Sequence, residues 1–97
     1  MTSAPTPGSD PRKDSLIEYP CLFPIKVMGL KVEALLPAVI ETARQHDPAF
    51  DAERIELRES RGGNYLGVTI HVTATSRAQL DALYVALSGH PLVKVVL

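Results

Sequence analysis

Leu66-Gly67-Val68-Thr69-Ile70-His71-Val72-Thr73-Ala74-Thr75, followed directly by Ser76-Arg77-Ala78-Gln79-Leu80, is the stretch whose reading decides the fold. Leu66, Val68, Ile70, Val72 and Ala74 alternate with Gly67, Thr69, His71, Thr73 and Thr75. That period of two places one row of side chains on a core and the other on the opposite sheet face. At Ser76 the period changes. Ser76 and Gln79 have the spacing of a capping box, and Leu80, Leu83, Tyr84 and Leu87 then share one helical face. Gly89 and Pro91 end that helix.

Upstream of the strand, Ser60-Arg61-Gly62-Gly63-Asn64 reads as a hairpin turn whose glycines supply positive φ. Ile55 and Leu57 alternate with Arg54, Glu56 and Arg58, which predicts a short half-buried strand paired with the first. Farther back, Val32, Leu35, Leu36, Val39, Ile40 and Ala43 recur at the helical period and predict a second amphipathic helix. Pro37 requires it to start near Glu33 or Ala34, and Asp47-Pro48 requires it to stop before the proline. Phe23, Ile25 and Val27 alternate with Leu22, Pro24, Lys26 and Met28 as an opening strand that closes at Gly29. Pro24 lacks an amide hydrogen, so the expectation there is an irregular or unpaired position. The chain closes on a strand with Val93, Val95 and Leu97 on one side. The order strand, helix, strand, strand, helix, strand, joined by right-handed crossovers, defines an α+β class. It is the ferredoxin-like βαββαβ fold, a four-stranded antiparallel sheet with both helices on one face.

The remaining sequence bounds this domain. Residues 1–15 hold Pro5, Pro7, Gly8 and Pro11 among polar residues without apolar periodicity, and are expected to form a disordered tail before a single domain over 16–97. With 97 residues, 45% hydrophobic and 22% charged, there is room for one globular domain. No apolar run approaches the roughly 18 residues of a membrane span, and the first residues contain no signal-peptide core. The lone Cys21 forms no internal disulfide, so a reducing cytoplasm is the expected location.

No residue pattern defines a catalytic centre. Cys21 has no basic cluster beside it in sequence to activate a thiolate and reads as an inert, partly buried thiol. His46, His71 and His90 lack the close spacing of a metal site, so no metal and no cofactor are expected. His46 suits a helix C-terminus, and His90 a loop. Glu53, Glu56 and Glu59, three apart in a strand region, scatter over two faces instead of pairing for acid and base work. Gly62-Gly63-Asn64 is followed by a strand and so lacks the helix N-terminus of a phosphate loop.

RNA-recognition modules share this element order and stack bases on sheet aromatics. Here Gly63 and Val68 stand where two of those rings belong, Lys26 faces outward on the first strand, and the net charge of −1 supplies no general phosphate attraction. Neither nucleic acid nor a membrane is therefore an expected partner.

Phe23-Pro24-Ile25-Lys26-Val27-Met28-Gly29, Gly63-Asn64-Tyr65 with Val68-Thr69-Ile70, and the terminal Val95-Val96-Leu97 give the chain a likeness to a known family. Over residues 18–97 it resembles the YbeD-like family of small bacterial proteins. The resemblance implies a ferredoxin-like domain akin to ACT-type regulatory domains, a cytoplasmic bacterial protein, a genomic association with lipoate metabolism, and no catalytic residues to carry over.

The expected function is therefore a non-enzymatic regulatory or protein-interaction domain, with ACT-like sensing of a small molecule as its finer form. Its partner would be a protein, a small metabolite or a second copy in a homodimer. Two surfaces are candidates for the contact. Arg61, Asn64 and Tyr65 lie at the hairpin tip, where functional contacts concentrate. Lys26, Arg58 and His71 belong to the sheet face that the helices leave open, together with Met28, Glu56, Thr69, Thr73, Lys94 and Val96. The alternatives are an RNA-binding module and a small-molecule enzyme, for which His71 near Arg58 and Thr73 would be the reactive group.

Overall fold

Apolar periodicity sorts the chain into two layers. The structure, a computed structural model, describes residues 18–97; the tail expected over residues 1–15 lies outside them. Strands β1 (Cys21–Leu30), β2 (Glu56–Glu59), β3 (Tyr65–Ala74) and β4 (Val93–Val96) form one antiparallel sheet in the order β2-β3-β1-β4. Helices α1 (Leu35–His46) and α2 (Arg77–Ser88) cover one face. The βαββαβ order and the sheet order are those of the ferredoxin-like fold. Ile25 and Val27, the row Val68, Ile70, Val72 and Ala74, and Leu35, Val39, Ala43, Leu80, Leu83 and Leu87 from the helices fill the interface between the layers.

Local rules place the helix ends. Ala34 caps α1 without a side-chain bond, so Pro37 is its third residue, where an amide hydrogen would have had no intrahelical acceptor. Asp47 is the extended residue that ends it, directly before Pro48. His46 closes the helix with Nδ1 3.0 Å from the Thr42 carbonyl. Ser76 accepts the Gln79 amide hydrogen at 3.0 Å, the first half of the capping box. The second half departs from the motif, because Gln79 Oε1 accepts from the Thr75 amide at 2.6 Å instead of from Ser76.

Five expectations need correction. Pro24 causes no irregularity: β1 runs through it in continuous register, opposite His71. Even-numbered residues of β1 point their amides toward β4, as the paired bonds between Lys26 and Leu97 show, and β4 ends before reaching Pro24. The missing donor therefore faces away from β3, and the β1–β3 ladder loses no bond at Pro24. Val32 is not part of the α1 stripe; its amide bonds the Leu30 carbonyl in a tight turn, and its side chain stays 47% exposed. Leu57 faces the helix side opposite Val68, but β2 is an edge strand and the side chain remains 53% exposed. Gly63 alone of the two turn glycines has positive φ, at 76°.

The fifth correction reverses part of β4. Val27 pairs with Val96 and Met28 with Val95, but Gly29 pairs with Val93, so Lys94 is the extra residue of a β-bulge. One extra residue moves all later side chains to the opposite face. Val96 thus lies on the core side, while Val95 and Leu97, opposite Met28 and Lys26, lie on the open face.

A polar knot locks the end of the sheet that β2 does not reach. The carboxylate of Asp47, 5% exposed, accepts from the Thr73 amide at 2.8 Å and the Ala49 amide at 3.1 Å. Gln79 Nε2 donates to the Thr73 carbonyl at 3.0 Å and to the His46 carbonyl at 2.7 Å. Two side chains thereby satisfy the main-chain groups of Thr73 that a longer β2 would have paired. Asp47→Asn keeps the shape but presents an amide nitrogen to one of these donors, and urea unfolding should show a loss of about 1–2 kcal/mol.

Tyr84 reaches from α2 to the Leu97 carbonyl at 3.4 Å, and burial raises its phenol above the ordinary value of 10.0. The fold thus favours the protonated form, whereas the unfolded chain loses that proton first. Stability should fall as pH rises from 10.0 through the raised value. Denaturant midpoints across that range should fall less in Tyr84→Phe than in the parent.

Candidate functional site

Strand register arranges the open face in rows. Leu22 lies beside Thr73, and Pro24 beside His71. The next row across the sheet is Leu97, Lys26, Thr69 and Glu56, followed by Val95, Met28, Gly67 and Arg58. Leu30 and Tyr65 begin the last row, and Ser60 meets Tyr65 through its amide at 2.9 Å. The β1 and β4 half is thus largely apolar around Lys26, and the β3 and β2 half is polar.

Alternation explains the membership of these rows: the residues whose neighbours fill the core must point away from it. A cleft of about 640 Å³ runs along the polar half, lined by Lys26, Met28, Glu56, Leu57, Arg58, Glu59, Ser60, Arg61, Gly67 and Thr69. The structure therefore brings together three of the candidate residues, Lys26, Arg58 and Arg61. Within the cleft, Glu59 is held by Lys31 at 2.6 Å, and none of Lys26, Arg58 and Arg61 forms an ion pair among the described residues.

Other candidates lie apart. His71 sits with Leu22, Glu53, Arg54, Ile55 and Glu56 in a separate hollow, and its buried Nδ1 has no hydrogen-bond partner. Tyr65 occupies the last row, its amide bonded to the Ser60 hydroxyl at 3.1 Å. The Asn64 carbonyl accepts the Lys31 amide at 3.1 Å, a role of its main chain. Lys94 occupies the bulge, and Val96 lies on the core side. Among the described residues no three His, Cys, Asp or Glu side chains converge as metal ligands, and no helix is long and apolar enough to cross a membrane.

Sequence reasoning missed Val95 and Leu97 on this face and the knot formed by Asp47 and Gln79. The Asp-Pro step at a helix end was a visible signal for Asp47, since an aspartate there bonds nearby amides. Nothing local marked the bulge.

Fold and face together define a small ferredoxin-like domain with one sheet surface that no described element covers. The chain matches the family described as "Protein of unknown function (DUF493)" over residues 14–97. A UPF0250 protein of Leptothrix cholodnii is 63% identical over 87 residues, spanning 90% of this chain and 96% of its own. A UPF0250 protein of Ralstonia nicotianae is 54% identical over 97 residues, the full length of both chains. The chain belongs to this DUF493, or UPF0250, family of small bacterial proteins, the family called YbeD-like. The solution structure of protein HP0495 from H. pylori aligns over 98% of each chain with a TM-score of 0.67 at 20% identity, a likeness of fold.

Proposed function

We propose that this chain is a non-enzymatic regulatory domain that acts by binding a ligand or partner on its open sheet face. The observation that carries the reading is the face itself: helices cover one side of the sheet, and the other presents Leu22, Met28, Val95 and Leu97 beside Lys26 and Arg58. Its polar groups are placed for contact and not for mutual activation. His71 and Arg58 lie in rows separated by that of Lys26, Thr69 and Glu56, and no hydrogen bond orients the His71 ring at Nδ1. A general base needs such an orienting partner and a group within reach.

The cleft favours a finer form of this reading, ACT-like sensing of a small metabolite. Its volume of about 640 Å³ falls within the range of small-molecule sites. The lipoate association that the family resemblance implies makes lipoate, alongside free amino acids, the first compound to test. Amide shift mapping of the isotope-labelled chain should show saturable changes at Lys26, Arg58 and Thr69 with a ligand of this kind. Saturable changes confined to the helix side, around Leu36 and Ile40, would defeat the assignment to this face.

A further inference from the structure

We propose that the open face receives an amphipathic helix of a partner protein, its apolar stripe lying on β1 and β4 and its acidic flank facing β2 and the hairpin loop. This deepens the reading of that face as the binding surface and rests on it.

Two independent patterns meet there. Leu22, Met28, Val95 and Leu97 are half of the eight large hydrophobic side chains exposed among the described residues, and all four lie on the β1 and β4 half. Lys26 on β1 and, across the face, Arg58 and Arg61 line the cleft with Glu56 and Glu59. Glu59 stands opposite Leu66 at the helix-side row and is held by Lys31, which leaves Glu56 as the one unpaired carboxylate among the described residues there. The chain as a whole carries a net charge of −1, so this surface is positive against the trend of the molecule. Such an imbalance steers an acidic partner and orients it.

Geometry selects the form of the occupant. Four strands spaced by about 4.8 Å span roughly 14 Å between the outer axes, enough to seat a single helix about 10 Å across. A second copy laid face to face with β2 over β2 would set Arg58 and Arg61 against the same cations, which like-charge repulsion opposes. With β2 over β4 it would set Arg58 on the apolar row of Val95 and Leu97, where a charge loses its hydration without a partner. An added β-strand would need an accessible edge. β4 is guarded by Lys94 and its bulge, and β2 by Glu56, Arg58 and Glu59. Single-stranded nucleic acid is held by successive stacking rings, and the described residues of this face offer one, Tyr65 in the last row, beside the aliphatic Met28, Val95 and Leu97.

The test uses two synthetic peptides of about 14 residues that share a leucine stripe at helical spacing. Their flanking positions differ, carrying Glu in one and Lys in the other. The Glu-flanked peptide should bind at least about tenfold more tightly by fluorescence anisotropy, against the sign of the chain's net charge. It should shift the amides of Lys26, Met28, Thr69 and Arg58. Combining Lys26→Glu with Arg58→Glu should reverse the preference while leaving the thermal midpoint nearly unchanged, since both side chains are exposed. Leu97→Ser should weaken both peptides alike. Equal affinity for the two peptides, or shifts away from this face, would overturn the proposal. If neither peptide binds but lipoate, citrate or a single-stranded RNA shifts those same amides, the helix is wrong and the open-face reading survives. If no probe reaches the face, both fall.

Discussion

Leu83→Ala should destabilise the domain by about 2–5 kcal/mol, the range for truncating a buried leucine where the surroundings relax only partly. Leu83 is fully buried on the inner face of α2, within the cluster that includes Leu80, Leu87 and the β3 row. Small domains have only about 5–15 kcal/mol of net stability, so this one change removes a large share of it. A fall of at least about 10 °C in the thermal midpoint is expected. An unchanged midpoint would mean that α2 packs through a different face.

Gly29→Val should have the next largest effect, and it tests space against propensity. Valine is favoured in strands, so by local preference the change is benign. In the fold, a Cβ at position 29 would lie 2.5 Å from the Leu92 carbonyl oxygen and 2.7 Å from Leu35 Cδ1. The first neighbour is backbone and cannot turn aside, so β4 must move outward or shift its register. The cost should reach the upper end of the roughly 1–3 kcal/mol typical of overpacking. Amide exchange should localise it, with faster exchange at Leu30 and Leu97, whose amides bond the Leu92 and Lys26 carbonyls at 2.9 and 2.7 Å. If stability and protection match the parent, the close approach of β4 to Gly29 is wrong. Because the bulge beside Gly29 puts Val95 and Leu97 on the open face, the same variant should also disturb the apolar half of the proposed binding surface.

The elements that the sequence alone determines are those whose cause is local. Alternation from Leu66 to Ala74 needs no partner to show which side chains share a face. Ser76 and Gln79 mark a helix start within one turn, and Pro37 and Pro48 bound α1 through the chemistry of their own peptide bonds. From these the order of elements follows, and with it the fold and the open-face positions of Lys26, Arg58 and His71, whereas Tyr65, expected at the hairpin tip, opens β3 in the last row of that face.

Tertiary structure decided the rest, because the decisive neighbours are distant in the chain. Leu57 has the pattern of a half-buried residue and becomes exposed because β2 is an edge. Asp47 acquires its buried role from Thr73, 26 residues away, and Gln79 its own from His46, 33 residues away. The cleft gathers Lys26, Arg58 and Arg61 from two strands and a loop. The same holds for Val95 and Leu97: their alternation with Lys94 and Val96 points them at the core, yet the single extra residue of the bulge turns them outward. Period fixes which side chains share a face within one strand, but the face they meet depends on register against another strand, and register is a property of the assembled sheet.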